Sequence, residues 1–285
     1  MLSFDDPRLV LPEGGNRTPM QVNAGVAAVR KSPTPDSTQV SQVLHGETVV
    51  LHHEEGEFGL VQNGADRYVG WVLMEALSAP VLDITHRVKV ARLHTYAEPK
   101  ISGAAQLVLG AGAQLTATGE REGRYLKFER AGWVVDHLVA PIADLETDPV
   151  TVAERLVGTP YLWGGRDCLG LDCSGLVQIA FGACGIACPR DSDMQSEWFG
   201  TSIEDWTEPN VLQRGDLIFW KGHVGLLTDG ATLLHANGTF MTTMTEPLAP
   251  AIERIANEYG EPVGARRVDL SKLRGEMPAW LTPQE

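Results

Sequence analysis

The first 141 residues are dominated by short runs in which apolar and polar positions alternate, and Gly and Pro separate one run from the next. Residues 29–33, 44–50 and 68–72 are three such runs, and Leu77 follows the last of them. Alternation with a period of two is typical of half-buried β-strands, and short strands between turn residues are typical of a small barrel. The pattern therefore predicts a compact β-barrel over residues 21–80.

The same order of runs occurs a second time. Residues 88–92, 109–115 and 132–135 repeat it, and Leu138 takes the place of Leu77. Two copies of one barrel are the simplest explanation of this internal repeat. The N-terminal half is thus predicted to contain an arm, two barrels and an acidic, proline-containing linker, which cover residues 1–20, 21–80, 84–141 and 142–150. The pattern leaves open whether the arm packs against another domain.

Beyond the linker the period of the pattern changes, and residues 151–285 are predicted to form a third domain. Residues 151–157 have helical periodicity, and residues 158–165 form a turn-rich loop. After Cys173, apolar residues follow at helical spacing: Leu176, Val177, Ile179, Ala180 and Phe181. This spacing predicts a buried helix whose first residues include Cys173.

Strands are predicted again after that helix. Residues 214–220 and 223–227 form two of them, joined by a tight Lys221-Gly222 connection, and residues 232–236 form a third after a turn. A third domain that contains both helices and strands predicts the α+β class for the whole chain.

Composition and charge limit the possible partners. The chain has 285 residues, of which 43% are apolar, and this is enough to bury sizeable cores. Lys and Arg total 23 against 37 for Asp and Glu, which gives a formal net charge of −14. That charge repels nucleic acid and anionic membrane surfaces. We therefore expect neither a nucleic acid nor a membrane as a partner.

The start of the chain and its cysteines indicate a location. Residues 1–7 lack the basic segment and apolar core of a secretory signal, and no later apolar run is long enough to span a bilayer. The four cysteines lie between Cys168 and Cys188, too close together to staple a chain of this length. Cys184 and Cys188 lack the second ligand pair of a zinc site. We expect a cytoplasmic protein with reduced thiols and without a metal or cofactor.

Three residues indicate a reaction. Cys173 stands at the start of the predicted buried helix, and the predicted strands place His223 and His235 on one sheet. A helix N-terminus favours a thiolate, and an adjacent imidazole can take the thiol proton and later return it. Taken singly, a cysteine is more often a small buried apolar residue, and a histidine is more often a hydrogen-bonded structural one. Their order along the chain favours a cysteine peptidase.

Several motifs together resemble a known family. Similarity to the NlpC family of papain-like peptidases, which cut bacterial cell-wall peptides, rests on five motifs in order: Gly-Thr-Pro-Tyr-x-Trp-Gly-Gly at 158–165, Asp-Cys-Ser-Gly-Leu-Val at 172–177, Arg-Gly-Asp-Leu-Ile-Phe-Trp at 214–220, His-Val-Gly at 223–225 and Leu-His-Ala at 234–236. Both barrels resemble bacterial SH3-like domains, whose last strand often carries Gly-Trp-Val. The resemblance implies a papain-like, NlpC-type domain of α+β class preceded by two small SH3-like barrels.

The resemblance also implies roles by position. Cys173 is the nucleophile, His223 is the general base and acid, and His235 orients the imidazole in place of the more familiar Asn or Asp. Attack on an amide carbonyl creates an oxyanion, for which the Cys173 backbone N–H and the Tyr161 hydroxyl are candidate donors. Trp163, in the Gly-rich loop, is a candidate wall of the substrate pocket.

A candidate substrate contact distinguishes the two barrels. The first carries Glu47 and Tyr68, where the second has Ala113 and Arg130. If the first barrel packs against the peptidase cleft, this carboxylate and hydroxyl suit a peptide's free N-terminal ammonium. The alternative is that Glu47 is an exposed turn residue.

Four polar residues near the nucleophile complete the predicted pocket. Asp191 and Ser192 lie in a segment that resembles the family's further substrate segment, and Asp172 and Ser174 flank Cys173. All four are candidates for polar contacts to L-Ala-γ-D-Glu. The alternatives are that Asp172 is a helix N-cap and Ser192 a turn former.

The predicted function follows from the resemblance. We expect a cytoplasmic, dipeptidyl-peptidase-like cysteine endopeptidase that hydrolyses the γ-D-Glu to L-diamino-acid bond of murein peptides with a free N-terminal L-Ala, in peptidoglycan recycling. The alternatives are a secreted hydrolase of intact peptidoglycan and a non-catalytic protein that binds wall peptides. The sequence leaves open which diamino acid is preferred and what the oligomeric state is.

Overall fold

The computed structural model describes residues 4–282, which form two compact units. The N-terminal unit comprises residues 5–144 and 166–169, and the C-terminal unit comprises residues 145–165 and 170–282 together with Phe4. Residues 1–3 of the predicted arm and 283–285 of the predicted third domain lie outside the described residues. Among the helices of residues 4–282, none has the length and apolar character that crossing a bilayer requires.

The first sheet of the N-terminal unit has seven antiparallel strands in the spatial order β3-β2-β6-β5-β4-β1-β7. The strands are β1 (Thr18–Val22), β2 (Val26–Arg30), β3 (Gln39–Leu44), β4 (Thr48–Glu55), β5 (Phe58–Asn63), β6 (Val69–Leu73) and β7 (Leu77–Ser78), with a 3₁₀ turn at Met74–Ala76. Alternation along β2 and β6 directs Val29 and Val72 into an apolar core with Val43, Val49 and Val61. The alternating pattern in the sequence therefore corresponds to burial.

The second half of the unit repeats this architecture in two sheets, ordered β10-β9-β14-β13-β12 and β11-β8-β15. The strands are β8 (His86–Val88), β9 (Arg92–Tyr96), β10 (Ala105–Gly110), β11 (Gln114–Leu115), β12 (Ala117–Glu122), β13 (Tyr125–Phe128), β14 (Gly132–Val135) and β15 (Val139–Pro141), with a 3₁₀ turn at Asp136–Leu138. Leu109, Leu115, Phe128 and Val134 form its core.

The two halves share one turn, held by equivalent hydrogen bonds. The Gly46 N–H donates to the Val22 carbonyl at 2.9 Å, and the Gly112 N–H donates to the Val88 carbonyl at 3.0 Å. Both glycines have a left-handed backbone, with φ of +81° and +87°. Because only glycine adopts this conformation without strain, the two turns require the same residue at the same place.

The N-terminal arm packs against the first sheet. Leu9 and Leu11 are buried, the Val69 N–H donates to the Arg8 carbonyl at 2.8 Å, and the Asn16 N–H donates to the His52 carbonyl at 2.8 Å. Its last residues join β1, which begins three residues before the predicted barrel. The open question about the arm is thus answered for its described part.

The C-terminal unit is built on a six-stranded antiparallel sheet in the order β18-β23-β19-β20-β21-β22. The further strands along the chain are β16 (Arg166–Asp167, within the N-terminal unit), β17 (Gly170–Leu171), β18 (Thr201–Ser202), β19 (Leu217–Trp220), β20 (His223–Leu227), β21 (Thr232–Asn237), β22 (Thr242–Pro247) and β23 (Gly264–Arg267). The predicted hairpin is confirmed, because β19 and β20 pair with Trp220 opposite His223.

Five helices accompany this sheet: α1 (Pro149–Glu154), α2 (Cys173–Ala183), α3 (Ser192–Trp198), α4 (Leu248–Tyr259) and α5 (Leu270–Leu273). Helix α2 packs against β20 and β21. On one face of the sheet, Ala251 and Ile255 of α4 join Trp220, Leu227 and Leu233 in a buried cluster. Helices and strands in one unit confirm the α+β class.

Helix α1 begins earlier than predicted. The periodic pattern indicated 151–157, but the helix covers Pro149–Glu154. Asp148 caps it by accepting the Val150 N–H at 3.0 Å, and Pro149 occupies the first turn. Both residues are typical of a helix start, so Asp-Pro was the stronger signal.

Candidate active site

Cys173 is the first residue of α2, and the local sequence fixes where that helix starts. Asp172 has an extended backbone, and its carboxylate accepts the Gly175 N–H at 2.7 Å, so the N-cap alternative for this residue is confirmed. From Cys173 to Phe181 every helical residue is buried. A helix held so firmly along its length fixes the position of the thiol at its end.

The Cys173 sulfur lies beside the strand that carries the first histidine. Hydrogen bonds from the backbone N–H groups of Val224 and Ser174 and the charge of Arg190 lower the pKa of the Cys173 thiol. Burial and the neighbouring Asp172 carboxylate act in the opposite direction and dominate, raising that pKa to about 12. The helix N-terminus favours the thiolate, but burial outweighs it, so a base is required to deprotonate the thiol.

The two histidines form a hydrogen-bonded pair in the interior. His223 Nε2 and His235 Nδ1 lie 2.8 Å apart, and the ring centroids are separated by 5.0 Å. Burial lowers the pKa of each imidazole to about 3. The neighbouring His235 and then Arg254 lower the pKa of His223 further, and Arg254 also lowers that of His235. Both rings are therefore neutral near pH 7, and His223 is available as a base.

Sequence reasoning missed the partners of His235. Its Nε2 lies 2.8 Å from Glu246 Oε1 and 3.1 Å from the Asn237 amide nitrogen, and Arg254 is ion-paired with the same Glu246 oxygen. The signal that could have found Glu246 is the alternation along a strand that follows the His235 strand. To use that alternation, one has to know which strands pair.

Two tyrosines flank the reacting groups. Burial, followed by the proximity of Cys173, raises the pKa of the Tyr161 hydroxyl, so this group remains a proton donor. Backbone bonds hold Tyr161 in place: its N–H donates to the Met241 carbonyl at 3.0 Å, and it bridges to Leu171. Tyr259 of α4 was not predicted; its ring stacks on His223 at a centroid distance of 6.1 Å, and burial, followed by Glu258 and Cys173, raises the pKa of its hydroxyl.

The polar residues flanking Cys173 are engaged within the protein. The Arg190 guanidinium is fully buried and donates to both Asp172 oxygens, at 3.0 and 2.6 Å, and to the Ser174 hydroxyl at 2.9 Å. Asp191 is the N-cap residue of α3, and Ser192 is the first residue of that helix. Their substrate contacts stay predictions. Arg190 is a further residue that the sequence analysis did not single out.

Trp163 is highly exposed for its size, at 63%. It lies in the turn-rich loop two residues after Tyr161, and the adjacent Leu162 N–H is bonded to the Leu171 carbonyl at 2.9 Å. Since an exposed indole on an anchored loop suits contact with a ligand, its role as a pocket wall stays a prediction.

Glu47 and Tyr68 belong to the N-terminal unit, where both are buried. Arg166, from the segment of the chain just before Cys173, holds Glu47 in a two-pronged ion pair at 3.0 and 3.2 Å. The Leu44 N–H also donates to this carboxylate at 3.0 Å. The alternative that Glu47 is an exposed turn residue is therefore wrong. Whether Glu47 and Tyr68 contact an ammonium stays a prediction.

No three His, Cys, Asp or Glu side chains within residues 4–282 lie close enough together to share a metal ion.

Two families match the chain. The NlpC/P60 family matches residues 158–255, which include Tyr161, Cys173, His223 and His235. The family described as the bacterial dipeptidyl-peptidase SH3 domain matches residues 29–77, within the first sheet. The matches confirm the NlpC resemblance and the SH3 resemblance of the first barrel, while that of the second barrel stays a prediction.

Individual proteins agree with these matches. Dipeptidyl-peptidase 6 of Lysinibacillus sphaericus is 34% identical over 125 residues, which cover 42% of this chain and 42% of that protein. A gamma-D-glutamyl-L-lysine dipeptidyl-peptidase of Bacillus subtilis is 27% identical over 226 residues, which cover 72% of this chain and 74% of that protein. The alignment with the first of these relatives thus spans less than half of its length.

A solved structure shares the fold. The crystal structure of an NlpC/P60 family protein from Bacillus cereus superimposes with a TM-score of 0.73 at 19% identity, covering 88% of this chain and 99% of that one. Together, the family matches show that this chain contains an NlpC/P60 domain, preceded along the chain by a bacterial SH3 domain.

Proposed function

We propose that this protein hydrolyses the γ-D-Glu to L-diamino-acid bond of murein peptides that begin with a free L-Ala. The observation that carries the proposal is the hydrogen-bonded His223–His235 pair beside a buried thiol at a helix N-terminus. The bond and the substrate class are carried over from the name of the B. subtilis relative, a gamma-D-glutamyl-L-lysine dipeptidyl-peptidase.

The first step is a proton transfer inside the site. Burial disfavours the thiolate of Cys173 and the imidazolium of His223 when each is formed alone. Transfer of the proton from Sγ to the ring creates both charges at once, and each then offsets the burial of the other. The Val224 and Ser174 N–H groups, which already bond to the sulfur, stabilise its negative charge.

The thiolate then attacks the γ-carbonyl carbon of D-Glu. The oxyanion that forms requires nearby donors, and the Tyr161 hydroxyl and the Cys173 backbone N–H supply them. His223 returns its proton to the amine of the diamino acid, which leaves, and a thioester remains on Cys173. A water molecule, deprotonated by His223, hydrolyses the thioester and releases L-Ala-γ-D-Glu.

Recognition of the free amine remains part of the proposal. Arg166 already neutralises the Glu47 carboxylate, so a substrate ammonium would compete with a guanidinium for it. Asp191 and Ser192 on α3 and the exposed Trp163 remain the other candidates for contact with the dipeptide portion.

We also propose a cytoplasmic role in recycling. All four cysteines are buried and lie between Cys168 and Cys188, too close together to staple a chain of this length, which suits a reducing compartment. The net charge of −14 disfavours binding to anionic wall polymers and membranes. Fractionation of cells that make the tagged full-length protein, with periplasmic or culture-medium markers, tests this location directly.

The test of function is a substrate panel followed by mass spectrometry. The panel contains L-Ala-γ-D-Glu-L-Lys and the corresponding meso-diaminopimelate tripeptide, each free and N-acetylated, together with intact sacculi. We expect the free tripeptides to be cleaved to L-Ala-γ-D-Glu and the free diamino acid, while the acetylated peptides and sacculi are spared.

Three results would contradict the proposal. Cleavage of sacculi as fast as of tripeptides favours a hydrolase of intact wall, and equal cleavage of acetylated and free peptides removes amine recognition. Binding of folded protein to the tripeptides without any product favours the non-catalytic alternative.

A further inference from the structure

Glu246 lies at the far end of a chain of hydrogen bonds that begins at His223. Strand β22 pairs with β21, and Leu233 lies opposite Glu246. Because residues two positions apart share a face of a strand, Glu246 lies on the same face as His235. The His235 ring is fully buried, and its Nε2 is 2.8 Å from the Glu246 carboxylate.

This contact determines where the His235 proton resides. A carboxylate only accepts hydrogen bonds, so the 2.8 Å contact requires a proton on His235 Nε2. In a neutral ring the other nitrogen, Nδ1, then carries a lone pair and accepts the Nε2–H of His223. His223 in turn keeps Nδ1 unprotonated, and that is the nitrogen left to accept the thiol proton of Cys173.

Asn237 favours the opposite arrangement. Its Oδ1 accepts the Phe240 N–H at 2.9 Å, which directs the amide nitrogen to His235 Nε2 at 3.1 Å. That nitrogen can donate only to a lone pair, so it would move the His235 proton to Nδ1. His223 would then be protonated on Nδ1 and unable to act as a base. The carboxylate contact is shorter and charge-assisted, so it prevails.

We propose that Glu246 is a positioning residue that sets the tautomer of His235 and thereby leaves His223 able to deprotonate Cys173. The inference deepens the proposed function and rests on the same thiol and imidazole. Arg254, ion-paired with Glu246, holds the carboxylate in place. The residues of this hydrogen-bond chain beyond His223 lie in three elements: His235 in β21, Glu246 in β22 and Arg254 in α4.

The first test is the tautomer itself, in the folded wild-type protein. Nitrogen-15 NMR of the histidine side chains distinguishes a protonated ring nitrogen from an unprotonated one. We expect His235 to carry its proton on Nε2 and His223 likewise on Nε2. Protons on Nδ1 of both rings would overturn the inference, whether or not any variant folds.

The second test is a set of variants read by two reactions. We expect Glu246→Ala to lower both kcat for the free tripeptide and the rate of Cys173 alkylation by iodoacetamide at least about tenfold, with little change in KM. Adding Asn237→Asp places a new carboxylate at the same nitrogen, and we expect it to restore most of the loss. Glu253→Ala, which removes an exposed carboxylate on α4, is the matched control and leaves both rates unchanged.

The two readouts separate the inference from the proposed function. If the tripeptide is not cleaved but Cys173 alkylation still depends on Glu246, the substrate proposal fails and the inference holds. If the tripeptide is cleaved and Glu246→Ala alters neither rate by more than about twofold, the inference fails. Loss of rate without rescue by Asn237→Asp would assign Glu246 a purely structural role.

Discussion

At the scale of single residues, the thiol and the two imidazoles of the candidate active site are neutral near pH 7. The Cys173 thiol and the His223 and His235 imidazoles are all buried, and burial shifts each pKa towards the neutral form. In the proposed mechanism, proton transfer from Cys173 to His223 forms the thiolate and the imidazolium together. Water is largely excluded from these groups, which strengthens every donor that faces the developing charge.

The buried histidines predict how stability depends on pH. In the folded protein the pKa of His223 and of His235 is about 3, whereas an unfolded histidine has a pKa of about 6.5. Between these values the unfolded chain binds protons that the folded chain does not, so this contribution is present above about pH 6.5 and is lost as the pH falls towards 3. The slope approaches about 1.4 kcal/mol per pH unit for each histidine.

Urea unfolding at pH 7.5, 6, 5 and 4 measures this slope. His45 and His86 also have lowered pKa values through burial, so the comparison must be with a His235→Gln variant. We expect the variant to lose less stability on acidification than the wild type. Parallel stability curves for the two proteins would show that His235 is not held neutral.

At the scale of elements, the start of α2 depends on a buried ion pair. Arg190 satisfies both oxygens of the Asp172 N-cap and also the Ser174 hydroxyl, and it is itself completely buried. The negative charge of Asp172 raises the pKa of the Cys173 thiol, and the positive charge of Arg190 lowers it. One guanidinium therefore holds the N-cap residue of α2 in place and favours the thiolate of Cys173, the proposed nucleophile.

Arg190→Met is the variant that tests this dual role. Breaking a buried pair by removing one partner typically costs about 3–5 kcal/mol, because the other charge is left uncompensated. We expect a lower urea midpoint together with slower alkylation of Cys173 at each pH, since its thiolate loses a favourable charge. The double variant Arg190→Met, Asp172→Asn removes both charges and should recover part of the stability. Wild-type stability of Arg190→Met would contradict the assignment.

Elements defined by local signals were predictable from the sequence. The β19–β20 hairpin and the helix at Cys173 formed as expected, because tight-turn residues and helical spacing act over a few positions. The start of α1 was predicted two residues too late because Asp148 was not recognised as its N-cap. Contacts between distant segments were not predictable, and Glu246 became visible only through the pairing of β21 with β22.

At the scale of the whole molecule, family motifs predicted an SH3 domain followed by an NlpC/P60 domain, but not the partners of individual side chains. Glu47 shows the difference. Its environment could not be inferred locally, because its partner Arg166 lies 119 residues further along the chain. The Glu47 carboxylate is buried and ion-paired with that guanidinium.

The central claim is that Cys173 is the nucleophile of a peptidase that acts on murein peptides. The most direct measurement is the rate at which free L-Ala-γ-D-Glu-diamino-acid tripeptide is converted to dipeptide by the wild type, Cys173→Ala and the control Cys168→Ser. We predict that Cys173→Ala lowers kcat by about 10⁶-fold, as expected for removal of a nucleophile, while the control retains activity. Undiminished cleavage by folded Cys173→Ala would contradict the account.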